Sequence, residues 1–363
     1  MSFKPPLKAA PLALLLTCSA PIFAQSSVTL YGIIDSGITY LSNVGGKSAW
    51  REAGGVNVPN RWGLRGSEDL GNGLKAVFRL EGGFNSTTGA LQSATQEFNR
   101  FATVGLQDDR YGTVVLGRQP DFMIRLLPVT GILGPIYAYH PGDYDRISGE
   151  YLSNTVSYET PRYGGFHAGA MYSFGSTTAP ASNTGRGISF VVDYQDGPIT
   201  AVAAMTDLNG VNINPANVGL SYAFGRNLAP TQTAGINLNN LATYGAGISY
   251  KVGKWRASAE YSRTVLRAFA MTERLQSGDV ALFYSVTPSL ILSGNYVHSI
   301  GLGGCWDTGA AMADYFLSKR TDVYLTGVYQ YVGSAGQHAA LLFQTASSTE
   351  SQTAVRVGIT HRF

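Results

Sequence analysis

The chain has 363 residues, including 44 glycines and 21 tyrosines, with 13% charged residues and a formal net charge of +3. So even a balance excludes the strongly basic surface of a nucleic-acid binder. No run of 18 apolar residues occurs after the N-terminal region, so no helix is expected to span a bilayer, but apolar residues at alternate positions still suit strands with one face in lipid.

The first residues read as an export signal. Lys4 and Lys8 give a basic start, Leu12 to Leu16 an apolar stretch, and Ala24 a small residue before Gln25. Residues 1–24 are therefore expected to be removed, leaving 25–363 as a single domain whose 24 basic residues nearly match its 23 acidic ones. Lipidation at Cys18 is the alternative, disfavoured by Thr17 before it. After cleavage Cys305 is the one cysteine left, so no internal disulfide is expected.

From Val28 onward, alternating runs are punctuated by turn signals. Short reversals are expected at 69–73, 108–112, 161–165, 196–198, 252–254, 287–289 and 319–322. Longer connections are expected at 42–60, 86–97, 120–153, 175–187, 207–241, 266–277, 301–310 and 333–350. Seven short and eight long connections imply sixteen strands, with Val218 to Phe224 left inside the fifth long loop. An even count lets the first strand pair with the last, Ala354 to Phe363, and leaves no open backbone edge in hydrocarbon. Within strands the faces separate: Trp255, Ala257, Ala259 and Tyr261 oppose Arg256, Ser258, Glu260 and Ser262. Tyr172, Phe174, Tyr194, Tyr250, Tyr261, Tyr329 and Tyr331 fall near strand ends, where amphipathic rings suit the headgroup zone. The fold expected is all-β, a sixteen-stranded antiparallel transmembrane barrel with short periplasmic turns and long extracellular loops. A soluble sandwich is the alternative that yields the same alternation.

Such a barrel is too wide for its wall side chains to fill. The segment 120–153 mixes apolar residues with acids and is expected to fold inward as the third long loop and narrow the lumen; an outward flap is the alternative. On the facing wall, Arg61, Arg65 and Arg79 share the water-facing parity, and Arg100 and Arg118 end the fourth and fifth strands. Fixed cations opposite fixed carboxylates would order water and favour polar solutes.

The strings SVTLYGIIDSGITY, RWGLRGSEDLGNGLKAVFRLEGGFN, RFATVGL followed by YGTVVLGRQ, YGAGISY, SKRTDVYLTGVYQYV and VRVGITHRF resemble the general diffusion porins of Gram-negative bacteria, especially the β-proteobacterial branch. The resemblance implies an outer-membrane homotrimer, surrounded by membrane lipid and lipopolysaccharide, that passes small hydrophilic solutes and ions. It implies that Phe363 is read by the barrel-assembly machinery and that no cofactor is needed. It further implies a constriction with Arg61 and Arg100 among its basic residues and Asp121, Asp143, Asp145 and Glu150 on the acidic loop side. Glu159 stands where some porins carry another wall arginine, and a carboxylate there favours cations.

Three other functions fit parts of the sequence. A sugar- or anion-specific channel would use an aromatic track, for which Tyr137, Tyr139, Tyr144 and Tyr151 are candidates. An outer-membrane hydrolase would need a group such as His140 with Asp143, but the five histidines, His140, His167, His298, His338 and His361, show no ligand or catalytic spacing. A surface adhesin using the long loops is compatible with a channel.

Overall fold

The computed structural model describes residues 27–130, 135–175, 183–228, 235–333 and 337–363. The proposed signal 1–24 lies outside the described residues.

Sixteen strands close into one antiparallel barrel. In chain order they are β1 (Ser27–Val44), β2 in two pieces (Lys47–Gly54 and Arg61–Gly71), β3 (Leu74–Gly83), β4 (Phe101–Asp108) and β5 (Gly112–Pro120). Next come β6 (Tyr151–Glu159), β7 (Phe166–Phe174), β8 (Arg186–Asp196), β9 (Ile199–Asn209) and β10 (Asn240–Val252). The last six are β11 (Trp255–Ala268), β12 (Met271–Thr287), β13 (Leu290–Gly301), β14 (Gly304–Phe316), β15 (Thr321–Val332) and β16 (Ser351–Arg362). Successive strands pair with their neighbours. β1 closes the ring, pairing with β2 on one edge and with β16 from Ile33↔Arg362 to Leu41↔Ala354 on the other.

Phe363 completes that seam. Its N–H donates to the Gly32 carbonyl and its carbonyl accepts the Gly32 N–H, both at 3.1 Å. The ring lies over Gly32 so closely that a Cβ there would come within 2.3 Å of it. Gly32→Val should therefore displace the terminal ring and loosen the closing pair, costing about 1–3 kcal/mol as an overpacked contact. Heat-modifiable gel mobility should show the barrel melting at lower temperature, and unchanged melting would rule this packing out.

Strand β2 is broken at residues 55–60, where Pro59 and Gly55 interrupt the ladder. Asp35 repairs the break. Its Oδ1 accepts the N–H groups of Val56 (2.8 Å) and Asn57 (3.0 Å), and its own N–H donates to Asn60 Oδ1 at 2.6 Å. The buried Arg356 guanidinium then donates to Asp35 Oδ1 and to the carbonyls of Gly37 and Ala53.

Three connections expected to be long are two-residue turns. β1 reverses at Gly45-Gly46, β11 at Phe269-Ala270 and β13 at Leu302-Gly303, in place of loops at 42–60, 266–277 and 301–310. The strands simply continue past the apolar band, where the outward face becomes polar (Arg263, Arg267, Arg274) and the hydrophobic alternation stops marking a strand. Phe269 (φ 51°) and Ala270 (φ 62°) both occupy the left-handed region that hairpin turns usually fill with Asn-Gly.

The fifth long loop holds Val218 to Phe224, as expected, with a short pairing of Tyr222–Ala223 to Arg226–Asn227. Val218, Leu220, Ala223 and Phe224 are buried together with Leu241, Leu266, Leu275, Leu302 and Trp306 from the upper strand ends. Loop and wall thus share an apolar core at the barrel mouth.

Candidate pore constriction

The third long loop leaves β5 at Asp121 and rejoins the wall at β6. Its first turn, Phe122–Leu126, buries Phe122, Met123 and Leu126 against Met171, Val191, Val202 and Ala204. These four wall residues lie on the water-facing parity of β7, β8 and β9, where polar side chains are the rule. Such apolar residues on the water-facing side are the sequence signal for a docked loop, one that the alternation of the strands alone does not bring out. Gly245 on β10 makes room for the loop: a Cβ there would stand 2.5 Å from Leu126 Cδ1.

Polar contacts extend the attachment across the lumen-facing sides of four strands. Phe122 N–H donates to Ser189 Oγ (2.9 Å) and Arg146 Nη2 to the Thr206 carbonyl (3.3 Å). Arg256 Nη1 donates to the Pro128 carbonyl and Ser258 Oγ to that of Thr130, each at 3.1 Å. His140 lies against Asp279 at 3.1 Å, and Ile136 N–H donates to the Val56 carbonyl at 2.9 Å. The loop is therefore bound to β8, β9, β11 and β12 and to the break in β2.

On and beside the lumen-facing sides of β2 to β4 the arginines gather. Arg65 lies directly across from Arg79, and Gly63 across from Glu81. Glu81, with its side chain 0% exposed, is the hub. It accepts bonds from Arg79 Nη2 (2.6 Å), Arg100 Nε (2.6 Å) and the Tyr31 hydroxyl (2.8 Å), with Arg61 Nε 4.0 Å away. Arg79 lies over the Phe101 ring at 3.5 Å, Arg100 over Tyr151 at 4.8 Å and Arg65 over Tyr31 at 5.4 Å. A bonded or stacked guanidinium is held in one orientation, so the positive charge is a fixed feature of the wall. Arg61, Arg79 and Arg100 share one carboxylate, and Arg65 stands beside them over Tyr31. The parity of Glu81 was visible in the sequence; its role as hub was not.

Arg118 departs from the expectation. It follows Val114 and Leu116 on the outward parity of β5, pairs with Ala102, and donates to the Asn99 carbonyl and Ser153 Oγ. Its position at a strand end gave no parity until the ladder was known.

The acidic side also differs from the expectation. Asp121 is buried and fastens the base of the loop, its Oδ2 accepting from Arg146 Nε at 3.0 Å and its Oδ1 from the Glu150 N–H at 3.3 Å. Asp145 is buried against His140 and accepts from Ser262 Oγ at 2.6 Å. Neither carboxylate faces water; both hold the loop in shape. Asp143 is half-buried and bonded by the Ser148 hydroxyl, and burial, reinforced by the charge of Asp145, pushes its carboxyl up to about 7. Glu150 is exposed. Glu159 does not stand as a free carboxylate, because Arg125 of the loop forms an ion pair with it and His167 Nε2 lies 3.2 Å away.

The pairing of His140 with Asp143 considered for a hydrolase does not form, since the buried imidazole bonds Asp145 and Asp279 instead. Nor do the loop tyrosines offer an aromatic track. Tyr137, Tyr139 and Tyr144 are buried, and Tyr151 packs beneath Arg100.

Comparison with known proteins agrees with this architecture. A family model described as Gram-negative porin matches residues 10–335. An outer membrane porin protein of Bordetella pertussis is 32% identical, covering 94% of this chain and 95% of its own length. Outer membrane porin protein 32 of Delftia acidovorans is 30% identical over 96% and 97%. Among solved structures, an anion-selective porin from Comamonas acidovorans superimposes with a TM-score of 0.75 at 26% identity, covering 93% of this chain and all of that one.

Proposed function

For a chain that belongs to the Gram-negative porin family, and so forms a water-filled outer-membrane channel for passive diffusion of small hydrophilic solutes and ions, we propose that the gap between the third loop and the arginine wall is the sieve and that it prefers anions. The observation that carries this is the imbalance at the gap. Arg61, Arg79 and Arg100 surround Glu81 alone, with Arg65 across from Arg79, while Asp121 and Glu159 are consumed in pairs with Arg146 and Arg125. The unpaired excess is positive, and a narrow low-dielectric passage strengthens its effect on a permeating ion. The anion selectivity of the Comamonas porin supports the same reading.

Reversal potentials across planar bilayers in a potassium chloride gradient test the sign. The expected potential corresponds to chloride permeating faster than potassium. A potential of the cation-selective sign would refute the assignment and return weight to Asp143 and Glu150.

The family resemblance also supports three finer readings. The chain assembles as a homotrimer through the outward faces of the early strands, Phe363 serves recognition by the assembly machinery, and lipopolysaccharide surrounds the outer rim. Transport then needs no covalent chemistry and no cofactor.

A further inference from the structure

We propose that a divalent transition cation, held by His140, Glu260 and Asp279, fastens the third loop to the barrel wall. The three residues come from different places, His140 from the loop, Glu260 from β11 and Asp279 from β12, and all are buried. His140 Nε2 lies 3.1 Å from Asp279 Oδ2 and 3.8 Å from Glu260 Oε2, and one donor atom from each of the three lies within 4.8 Å of the others. Ligand atoms bound about 2.0–2.2 Å from one metal stand roughly 3–3.5 Å apart, so small side-chain shifts would complete the set.

Two further observations point to a bound cation. Among the described residues no N–H reaches either Glu260 oxygen; its close polar neighbour is the Asp279 carboxyl group, and the side chain is 0% exposed. A fully buried carboxylate left so is costly unless a positive charge reaches it. Its neighbours are the His140 ring and two more carboxylates, Asp145 and Asp279, and among the described residues no lysine or arginine is ion-paired with Glu260 or Asp145.

The imidazole is oriented as a metal-binding ring is. Nδ1 lies 2.5 Å from Asp145 Oδ2, which Ser262 Oγ also donates to at 2.6 Å. With the proton of the ring on Nδ1, the Nε2 lone pair faces Glu260 and Asp279, the carboxylate–histidine–metal arrangement. One nitrogen and two carboxylate donors suit Zn²⁺ or Mn²⁺ better than Ca²⁺, which takes an all-oxygen shell.

The test uses the full chain, purified in detergent, stripped with EDTA, incubated with Zn²⁺ and dialysed. A Cys305→Ser background removes a second donor cluster, His298, Cys305 and Asp307, on the outward face. The expected result is one Zn²⁺ retained per chain in C305S, lost in C305S/E260Q, and bound about 10- to 100-fold more weakly in C305S/D145N. X-ray absorption on C305S alone should show one imidazole nitrogen with oxygen neighbours, which keeps the test decisive if E260Q does not fold. No retained Zn²⁺ in folded C305S, equal retention with and without Glu260, or a bound Zn²⁺ without an imidazole neighbour would overturn the site in favour of a cluster held by shared protons.

Discussion

Replacing Arg61 and Arg100 together by glutamine should reduce chloride-over-potassium selectivity about fivefold. At roughly 8 Å in water a fixed unit charge changes an ion's energy by about 0.5 kcal/mol. The sign reverses between anion and cation, so removing two charges changes their difference by about 2 kcal/mol, and screening at 0.1 M salt reduces that to about 1 kcal/mol. Glu81 would keep Arg79 and the Tyr31 hydroxyl as partners, so the wall need not collapse. Glu81→Gln should shift the reversal potential the opposite way, because it removes the carboxylate that the cluster shares. If both variants left the potential at the wild-type value, the selective charges would have to lie elsewhere in the lumen.

Excising residues 121–150 and joining β5 to β6 by a short turn should raise single-channel conductance about two- to threefold, since a lumen bounded by sixteen strands is wide without an insert. The wall carboxylates now under the loop, Glu260 and Asp279, would meet water and so not remain as buried unpaired charge. Met171, Val191, Val202 and Ala204 would lose their apolar cover, so the barrel should melt at lower temperature than the parent while keeping its ladder. A folded deletion conducting like the parent would show that the loop does not set the sieve.

The barrel itself was readable because its physics is periodic. One face in lipid and one in water forces alternation of period two, and strand number, closure and the facing of Arg61, Arg65 and Arg79 all follow from that rule. It fails where lipid ends, which is why Phe269-Ala270 and Leu302-Gly303 were mistaken for parts of long loops. The loop was only half readable, because its residues have no period to locate them. Asp121 finds Arg146 within the same loop, and Asp145 finds Ser262 on a distant strand, so two acids expected to face water are spent on internal bonds. Glu159 was expected on the acidic side of the constriction, but its partner Arg125 comes from the loop and offsets the cation preference a lone carboxylate would give.

The two-residue reversals between long strands have a consequence for the cell surface. β12 has 17 residues, which at about 3.3 Å each and a tilt near 40° reach roughly 43 Å, against an apolar band of about 25 Å. The excess stands clear of the bilayer as paired ribbon, with its amides already engaged. Proteases and antibodies that need a pliable peptide will find little purchase on such a parapet, and their target on intact bacteria should be the exposed irregular segment between β3 and β4.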